Sequence, residues 1–411
     1  MPTQTTSSPG KAMFTQKQID RYASVLMWGL RTARPGGYKK HDIVLIQCDP
    51  PGLKLMEAVY DRVVEAGLNA VPKVNLTSPM ELSFYRKADA QQLVFQPPGM
   101  EELYGRLHGA IYILAPESLT HLSDVDPKRI AKVAVTRKPL RDILTRREEQ
   151  GKFGWTLCLY PTDELARLSG LSKREYAQQV ASACFLGEAS PEAAWDDIYR
   201  AASEIKRWLT EMDAVEYHVE SSSVDLRVSR GEQRRFLGIS GHNIPSFEIF
   251  TSPDWRGVSG VFFADQPSYR SGNYVRGVRL EFAAGRVTDS DASEGAEFLR
   301  KQLAMDKGSD KVGEFSLTDK RFSRISAFMA NTLYDENHGG EFGNCHIAIG
   351  SSYSDTYSGD PSELTKETKA ALGFNDSALH WDLVNTEAKR VSAKLRGGEK
   401  IAIYENGVFL Y

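Results

Sequence analysis

The stretch IVLIQCDPPGLKLMEAVYDRVVEAGLNAV, residues 43–71, decides the fold of the first half of the chain. It opens with an apolar run (43–46) that is typical of a buried strand, and a Pro-Pro-Gly loop (49–52) ends that run. Apolar residues then recur at helical spacing, and Gly67 stands where a helix C-terminal cap is expected. Residues 70–71 return to an extended pattern, so the stretch predicts one β-α-β unit.

Three further apolar runs in the first half, 110–114, 133–135 and 156–160, are predicted to be buried strands. Polar, helix-compatible segments separate them, which favours parallel pairing in an α/β layer. The loop after the first strand contains neither a GxGxxG nor a GxxxxGK[ST] motif, so nucleotide binding is unsupported. We expect an N-terminal α/β domain with a mostly parallel sheet.

The pattern changes after a helix-like stretch between about Pro191 and Met212, and we place the domain junction there. The predicted division is an N-terminal domain over 13–205 and a C-terminal domain over 206–411. The second domain is predicted to be α+β with a mixed or antiparallel sheet. Its predicted elements are strands at 217–219, 224–228 and 278–282 and helices at 292–305 and 321–334.

The chain of 411 residues has 51 Lys plus Arg against 54 Asp plus Glu and a formal net charge of -3. It has no basic run, so the charge gives no indication of nucleic acid or of an anionic membrane as a partner. The four cysteines are far apart and form no CxxC pair. The N-terminal residues lack a leader pattern, and no stretch of about 18 apolar residues occurs. We expect a cytoplasmic protein without a membrane anchor.

The sharpest local signal in the second half is the segment Leu379-His380-Trp381-Asp382-Leu383. On a strand, side chains two residues apart share a face, so His380 and Asp382 would point together while the apolar residues pack behind them. Such a pair can bind a metal ion. A buried histidine that is hydrogen-bonded to a neighbouring aspartate would give the same pattern.

Three other polar residues interrupt apolar strands: His346, Glu248 and Glu314. His346 would share its face with Ala348 and a glycine, which leaves room beside the imidazole, while Cys345 would face the apolar side. Each residue also has an ordinary interpretation, a core histidine or glutamates pointing to solvent. Carboxylates held against apolar neighbours nevertheless cost several kcal/mol unless cations or hydrogen bonds compensate them. Oxygen-rich ligation with a few imidazoles suits divalent ions such as Zn, Co, Mn or Mg.

Five motifs occur in order along this half of the chain. They are NIPSFEIFTSP (243–253), GEF (313–315), DEN (335–337), HIAIG (346–350) and HWD (380–382). In kind and order they resemble the motifs of the aminopeptidase T and aminopeptidase S family of two-metal metalloaminopeptidases. The resemblance implies an α/β N-terminal domain joined to a C-terminal metal domain. It also implies a homodimer and short peptides with a free amino terminus as substrates.

The resemblance implies a set of site residues as well. Glu314 and Tyr353 would be catalytic, the latter because it matches the catalytic tyrosine of the family. Two divalent ions sharing a bridging water can lower the pKa of that water and polarise a carbonyl. The implied metal ligands are Glu248, Glu314, Glu336, His346, His380 and Asp382.

The sequence departs from the family pattern at two places. Phe247 stands where the family often has glycine, which could reshape the pocket. An insertion at 338–344 leaves two candidates for one acidic position: Glu336 matches by motif and Glu341 by its distance from His346. We favour Glu336. His338, inside the insertion, either lines the site or lies in a solvated loop.

Two other functions fit part of this pattern. A ring-cleaving dioxygenase of dihydroxypyridine-like substrates is similar to the peptidase family, and His346, His380 and Asp382 could form its mononuclear Fe(II) site. The two additional glutamates argue against it, because a single-iron site does not need them. A non-catalytic binding protein whose metals only hold the fold together is the third hypothesis, and the presence of Tyr353 argues against that one.

Overall fold

The computed structural model of the chain describes residues 13–270, 272–360 and 363–411. The N-terminal stretch that is expected to contain no leader falls mostly on residues 1–12, outside the described residues. The helices are α1 (Gln16–Thr32), α2 (Leu53–Glu65), α3 (Ser78–Lys87), α4 (Met100–Arg106), α5 (Pro127–Glu149), α6 (Asp163–Ser169), α7 (Lys173–Ala183), α8 (Pro191–Glu211), α9 (Ala296–Leu303), α10 (Thr332–Asp335) and α11 (Lys366–Ala371). The strands are β1 (Ile43–Cys48), β2 (Asn69–Val74), β3 (Gly109–Leu114), β4 (Gly154–Leu159), β5 (Ala214–Glu220), β6 (Asp225–Ser229), β7 (Asn243–Ile244), β8 (Glu248–Thr251), β9 (Ser259–Ala264), β10 (Ser268–Arg270), β11 (Asn273–Val275), β12 (Val278–Ala283), β13 (Arg286–Asp291), β14 (Val312–Thr318), β15 (Asn344–Gly350), β16 (His380–Asn385), β17 (Arg390–Leu395), β18 (Lys400–Glu405) and β19 (Val408–Phe409).

The first half forms a parallel sheet in the order β2-β1-β3-β4-β7, as the sequence predicts. Helix α2 begins after the Pro-Pro-Gly turn and buries Leu55, Met56, Val59 and Val63, which follow helical spacing. Gly67 has a φ of 73°, a left-handed conformation that glycine adopts without a steric penalty, and it ends the helix before β2. The β-α-β unit is therefore confirmed.

The second half contains antiparallel sheets. Eight strands lie in the order β13-β12-β9-β6-β5-β17-β18-β19, four strands lie in the order β16-β15-β14-β8, and β10 pairs with β11. The predicted combination of an α/β part and an antiparallel α+β part is thus confirmed. The boundary between 205 and 206 stays a prediction: it falls inside α8, and β7 from beyond it joins the parallel sheet.

One buried apolar core runs through both halves. Phe247, beside the four-stranded sheet, stacks on Trp195 of α8 at a ring-centroid distance of 5.2 Å. Phe185 meets the same pair edge-on. The packing fixes the start of β8 against the helix that joins the two halves. Among the described residues, no helix has both the length and the apolar character needed to cross a membrane.

The predicted strand at 133–135 is wrong, because these residues lie inside α5. Asp126 caps that helix by accepting the backbone N–H of Lys128. Val133 is buried and Val135 is 69% exposed, so the apolar run is one turn of a one-sided helix. A short apolar run does not by itself distinguish a strand from a helix.

The predicted helix over 321–334 is also wrong, since only its last residues form the short α10. Side chains bind the backbone N–H groups that a helix would have used. Asp335 accepts those of Met329 and Asn331, and Asp319 accepts that of Arg321. Such local bonds compete with a helix.

Candidate metal centre

The four-stranded sheet carries polar side chains on one face. Glu314 of β14 pairs with Ala348 of β15, which in turn pairs with Asp382 of β16, and Gly350 pairs with His380. Because residues paired across an antiparallel sheet point to the same face, these side chains stand side by side. The small residues on β15 leave space between the longer acids and the imidazole.

Two more predicted ligands project from the same face. His346 pairs with Ser316, and Glu248 at the start of β8 pairs with Thr318, so both share the face of Glu314. The opposite face of the sheet is apolar and buried, which explains why the strands hold their register. It presents Ile249, Phe315, Leu317, Cys345, Ile347, Ile349, Trp381 and Leu383.

The distances at this face are short. Nε2 of His346 lies 3.1 Å from Oε1 of Glu314 and 3.4 Å from Oε2 of Glu248. Nε2 of His380 lies 3.6 Å from Oε2 of Glu314 and 3.4 Å from Oδ1 of Asp382. The structure therefore brings together five of the six predicted metal ligands.

These five residues form two candidate groups that share Glu314. Glu248, Glu314 and His346 offer ligand atoms that all lie within 4.8 Å of one another, and so do Glu314, His380 and Asp382. Each oxygen of Glu314 faces a different histidine. A shared carboxylate with a histidine and a further acid on each side is a donor set that suits two divalent cations.

Hydrogen bonds fix the orientation of both imidazoles. The backbone carbonyl of Ser351 accepts the Nδ1–H of His380 at 2.8 Å, so Nε2 is the nitrogen left for the centre. Oδ1 of Asn344 lies 3.4 Å from Nδ1 of His346, and the amide of Asn344 is itself held by donation to the carbonyls of Glu336 and His338. Metal-binding histidines are generally oriented by such a bond on their second nitrogen.

Burial and mutual repulsion shift the titration of the acids. Burial raises the pKa of Glu314 to about 7, and the nearby Glu248 adds to the rise. Burial also raises the pKa of Glu336 well above its usual range. Burial opposes the charged form of His380, but Asp382 and Glu314 outweigh it and raise its pKa to about 9. The side chains thus favour additional positive charge, which protons or cations can supply.

Glu248, Glu314, His380 and Asp382 line one cavity, which opens beside the ligand set. Glu336 lines this cavity as well but belongs to neither candidate group. It is 8% exposed, whereas Glu341 is exposed in the loop, where its backbone carbonyl accepts a hydrogen bond from Lys320. The position of Glu336 favours it over Glu341 for the additional acidic role. That role remains a prediction.

The neighbours of Glu336 support the site without facing it. The side-chain oxygen of Asn337 accepts the backbone N–H groups of Phe247 and Glu248. Asp335 is buried and binds the backbone of the preceding loop, and burial raises its pKa to about 8. The DEN motif therefore consists of one residue toward the cavity and two that hold the surrounding backbone.

Tyr353 lies at the mouth of this cavity and is 44% exposed. Its ring meets His380 edge-on at 4.7 Å and packs against Phe250 at 5.6 Å. Its backbone N–H donates to Oγ of Ser252. Although the residue as a whole is partly exposed, burial of its hydroxyl end raises the pKa of Tyr353 and Glu314 raises it further, so the hydroxyl keeps its proton at neutral pH.

Two expectations about the motif flanks are corrected. Phe247 does not line the cavity: it is fully buried and stacks on Trp195. His338 lies neither in a solvated loop nor in the cavity lining: it is 7% exposed, and burial lowers its pKa. The insertion therefore packs inward at this point.

Comparisons with known proteins agree with the geometry. A family model described as thermophilic metalloprotease (M29) matches residues 15–409. Aminopeptidase AmpS of Bacillus subtilis (strain 168) is 27% identical over 334 residues, 76% of this chain and 79% of that protein. Aminopeptidase 2 of Geobacillus stearothermophilus is 27% identical over 414 residues, 95% of this chain and 97% of that protein. The solved structure of wild-type AmpT from Thermus thermophilus superposes with a TM-score of 0.80 at 20% identity, covering 97% of this chain and 100% of that chain, which supports the fold.

Proposed function

Because the chain belongs to the family of thermophilic metalloproteases (M29), we propose that it removes N-terminal residues from short peptides with two divalent metal ions bound at this centre. The chain is a metalloaminopeptidase, a hydrolase of the exopeptidase class. We propose two ions per chain, the ligand set given below and short peptides as the substrates. The observation that carries them is the position of Glu314 between two groups of ligand atoms.

We assign Glu248, Glu314 and His346 to one ion and Glu314, His380 and Asp382 to the other, with Glu336 beside them. Divalent ions bound here would polarise the carbonyl of the substrate and lower the pKa of a bound water. The bonds from Ser351 and Asn344 hold the two imidazoles with Nε2 toward the centre. The protein thus fixes its ligands before any substrate arrives.

Tyr353 is proposed to stabilise negative charge that develops on the carbonyl oxygen of the substrate. Its hydroxyl stays protonated, so it can donate a hydrogen bond. The edge-on contact with His380 places its ring next to the ligand set. A donor aimed at charge that exists only in the transition state raises kcat more than it lowers KM.

The aminopeptidase proposal is tested by offering the metal-loaded protein leucyl-anilide, N-acetyl-leucyl-anilide and dihydroxypyridine. Hydrolysis of the free amine without action on the acetylated substrate supports the proposal. Oxygen consumption with dihydroxypyridine would favour the dioxygenase, for which the named relatives give no support. Bound metal without turnover would favour a binding protein. The homodimer and the cytoplasmic location stay predictions, and sedimentation tests the dimer.

A further inference from the structure

The cavity beside the ligands, about 280 Å³, extends beyond them to a wall to which both halves of the chain contribute. This distal wall consists of Glu148 at the end of α5, Trp155 of β4 and His242 just before β7. None of the sequence motifs includes these residues. The cavity is therefore lined by both halves of the chain.

The distal wall is held in one arrangement by hydrogen bonds. Oε1 of Glu148 accepts the indole N–H of Trp155 at 3.1 Å and the Nε2–H of His242 at 3.0 Å. Nδ1 of His242 is bonded to Oγ of Ser240 at 2.8 Å, and the rings of Trp155 and His242 meet edge-on at 4.6 Å. Among the described residues, no group bonds Oε2 of Glu148. The two donors thus orient the carboxylate of Glu148 through Oε1, and Oε2 is available to accept a hydrogen bond from a ligand.

Exposure differs between the two ends of the cavity. Glu314, Glu248 and Glu336 are 3%, 9% and 8% exposed and form the closed end, whereas Tyr353 at the mouth is 44% exposed and the side chain of Glu148 is 37% exposed, so both belong to the open end. An exopeptidase that binds an amino terminus at the closed end must let the rest of the peptide leave through the open end. The distal wall therefore lies where the residues after the first one pass.

The charge of the open end is negative. Asp355 adds a second carboxylate there, and neither lysine nor arginine lines the described cavity. Arg235, which donates to the backbone carbonyl of Asp355, offsets part of the charge of the Asp355 carboxylate, so the two carboxylates still exceed the one nearby guanidinium. Two divalent ions would balance the charges of the four acids at the metal end, Glu248, Glu314, Glu336 and Asp382. The charges of Glu148 and Asp355 would not be balanced by these ions. A free α-carboxylate on the second residue of a dipeptide would be repelled there.

We propose that Glu148, oriented by Trp155 and His242, is a specificity-determining residue that selects against a free carboxylate directly after the first peptide bond. The favoured substrates are peptides that continue beyond the second residue or end in an amide, because Oε2 of Glu148 can accept an amide N–H. This inference rests on the proposed aminopeptidase function.

The test compares kcat/KM for Leu-Leu-amide, Leu-Leu with a free carboxylate and Leu-amide at pH 8. Wild-type protein should prefer Leu-Leu-amide to Leu-Leu. Glu148→Gln should reduce that preference about fivefold, as expected for removing one charge several ångströms away. The change should appear mainly in KM. Leu-amide, which has no second residue, should be hydrolysed equally by both proteins.

Glu149→Gln is the matched control, because its carboxylate is adjacent, exposed and outside the cavity lining. It should keep the wild-type preference. The same preference in wild type and a folded Glu148→Gln would overturn the inference, whereas failure to hydrolyse Leu-amide would overturn the proposed function. If Glu148→Gln unfolds, the test is the salt dependence of the wild-type preference for Leu-Leu-amide. This preference should weaken between 0.05 and 0.5 M salt, and an unchanged preference would contradict a charge effect.

Discussion

The side-chain oxygen of Asn337 accepts the backbone N–H of Glu248 at 3.0 Å, joining the loop after α10 to the first residue of β8. The same oxygen accepts the N–H of Phe247, and the amide nitrogen of Asn337 donates to the carbonyl of Leu333. Asn337 is fully buried. One amide therefore fixes the strand end that carries a proposed ligand.

Asn337→Ala should weaken metal binding while the bound ligands themselves remain. Losing a group that orients a ligand typically costs about 10-fold to 100-fold in metal affinity. The unpaired N–H groups should also lower the free energy of unfolding by about 1–3 kcal/mol. Calorimetric titration and chemical denaturation measure the two effects. Asn69→Ala, on the exposed edge of the parallel sheet, is the control, and equal affinities in both variants would contradict the role of Asn337.

Tyr353→Phe should lower kcat about 100-fold, as expected for removing one donor to a developing oxyanion. KM and metal content should change little, because the ring keeps its contacts with His380 and Phe250. Steady-state kinetics with leucyl-anilide measure this. A kcat within twofold of wild type would remove the hydroxyl from the mechanism.

Glu387 should make stability depend on pH. Burial opposes its charge, but the hydroxyls of Ser223, Ser221 and Ser222 donate to it, together with the amide of Asn385, and its pKa falls from 4.5 to about 2. A lowered folded-state pKa means that the stabilisation is present above about pH 4.5 and is lost as the pH falls toward 2.

Glu387→Gln should therefore lower the free energy of unfolding by about 2 kcal/mol at pH 7 and by less as the pH falls below 4.5. Urea denaturation at several pH values gives the difference. The exposed Glu399→Gln serves as the control. A deficit that stays constant from pH 7 to pH 3 would show that the charge of Glu387 is not responsible.

Much of the site could be predicted because strands have a simple period. Alternation of side chains predicts that His380 and Asp382 share a face, and the motifs indicate which distant segments meet them. The same rule could have identified Asn344, two residues before His346 on the same face. The role of Ser351 could not be read from the sequence, because its backbone carbonyl makes the contact.

The sequence predictions fail where tertiary contacts determine the local structure. The apolar run 133–135 does not by itself distinguish a helix from a buried strand, and the loop over 321–331 is held by Asp335, which lies after it. The sequence leaves open that Phe247 reshapes the pocket, because it does not show that Trp195, 52 positions earlier, stacks on Phe247 and keeps it out of the cavity lining. The distal wall was missed because its members come from α5, β4 and the segment before β7.

The central claim is tested most directly by counting metal ions per chain, after equilibration with a divalent cation and removal of the excess. We expect two ions for wild type and for Glu281→Gln, an exposed control on β12. Folded Glu314→Gln should retain at most one tightly bound ion and lose activity, because Glu314 belongs to both ligand groups. One ion or none in wild type, or two ions bound equally tightly by Glu314→Gln, would contradict the account.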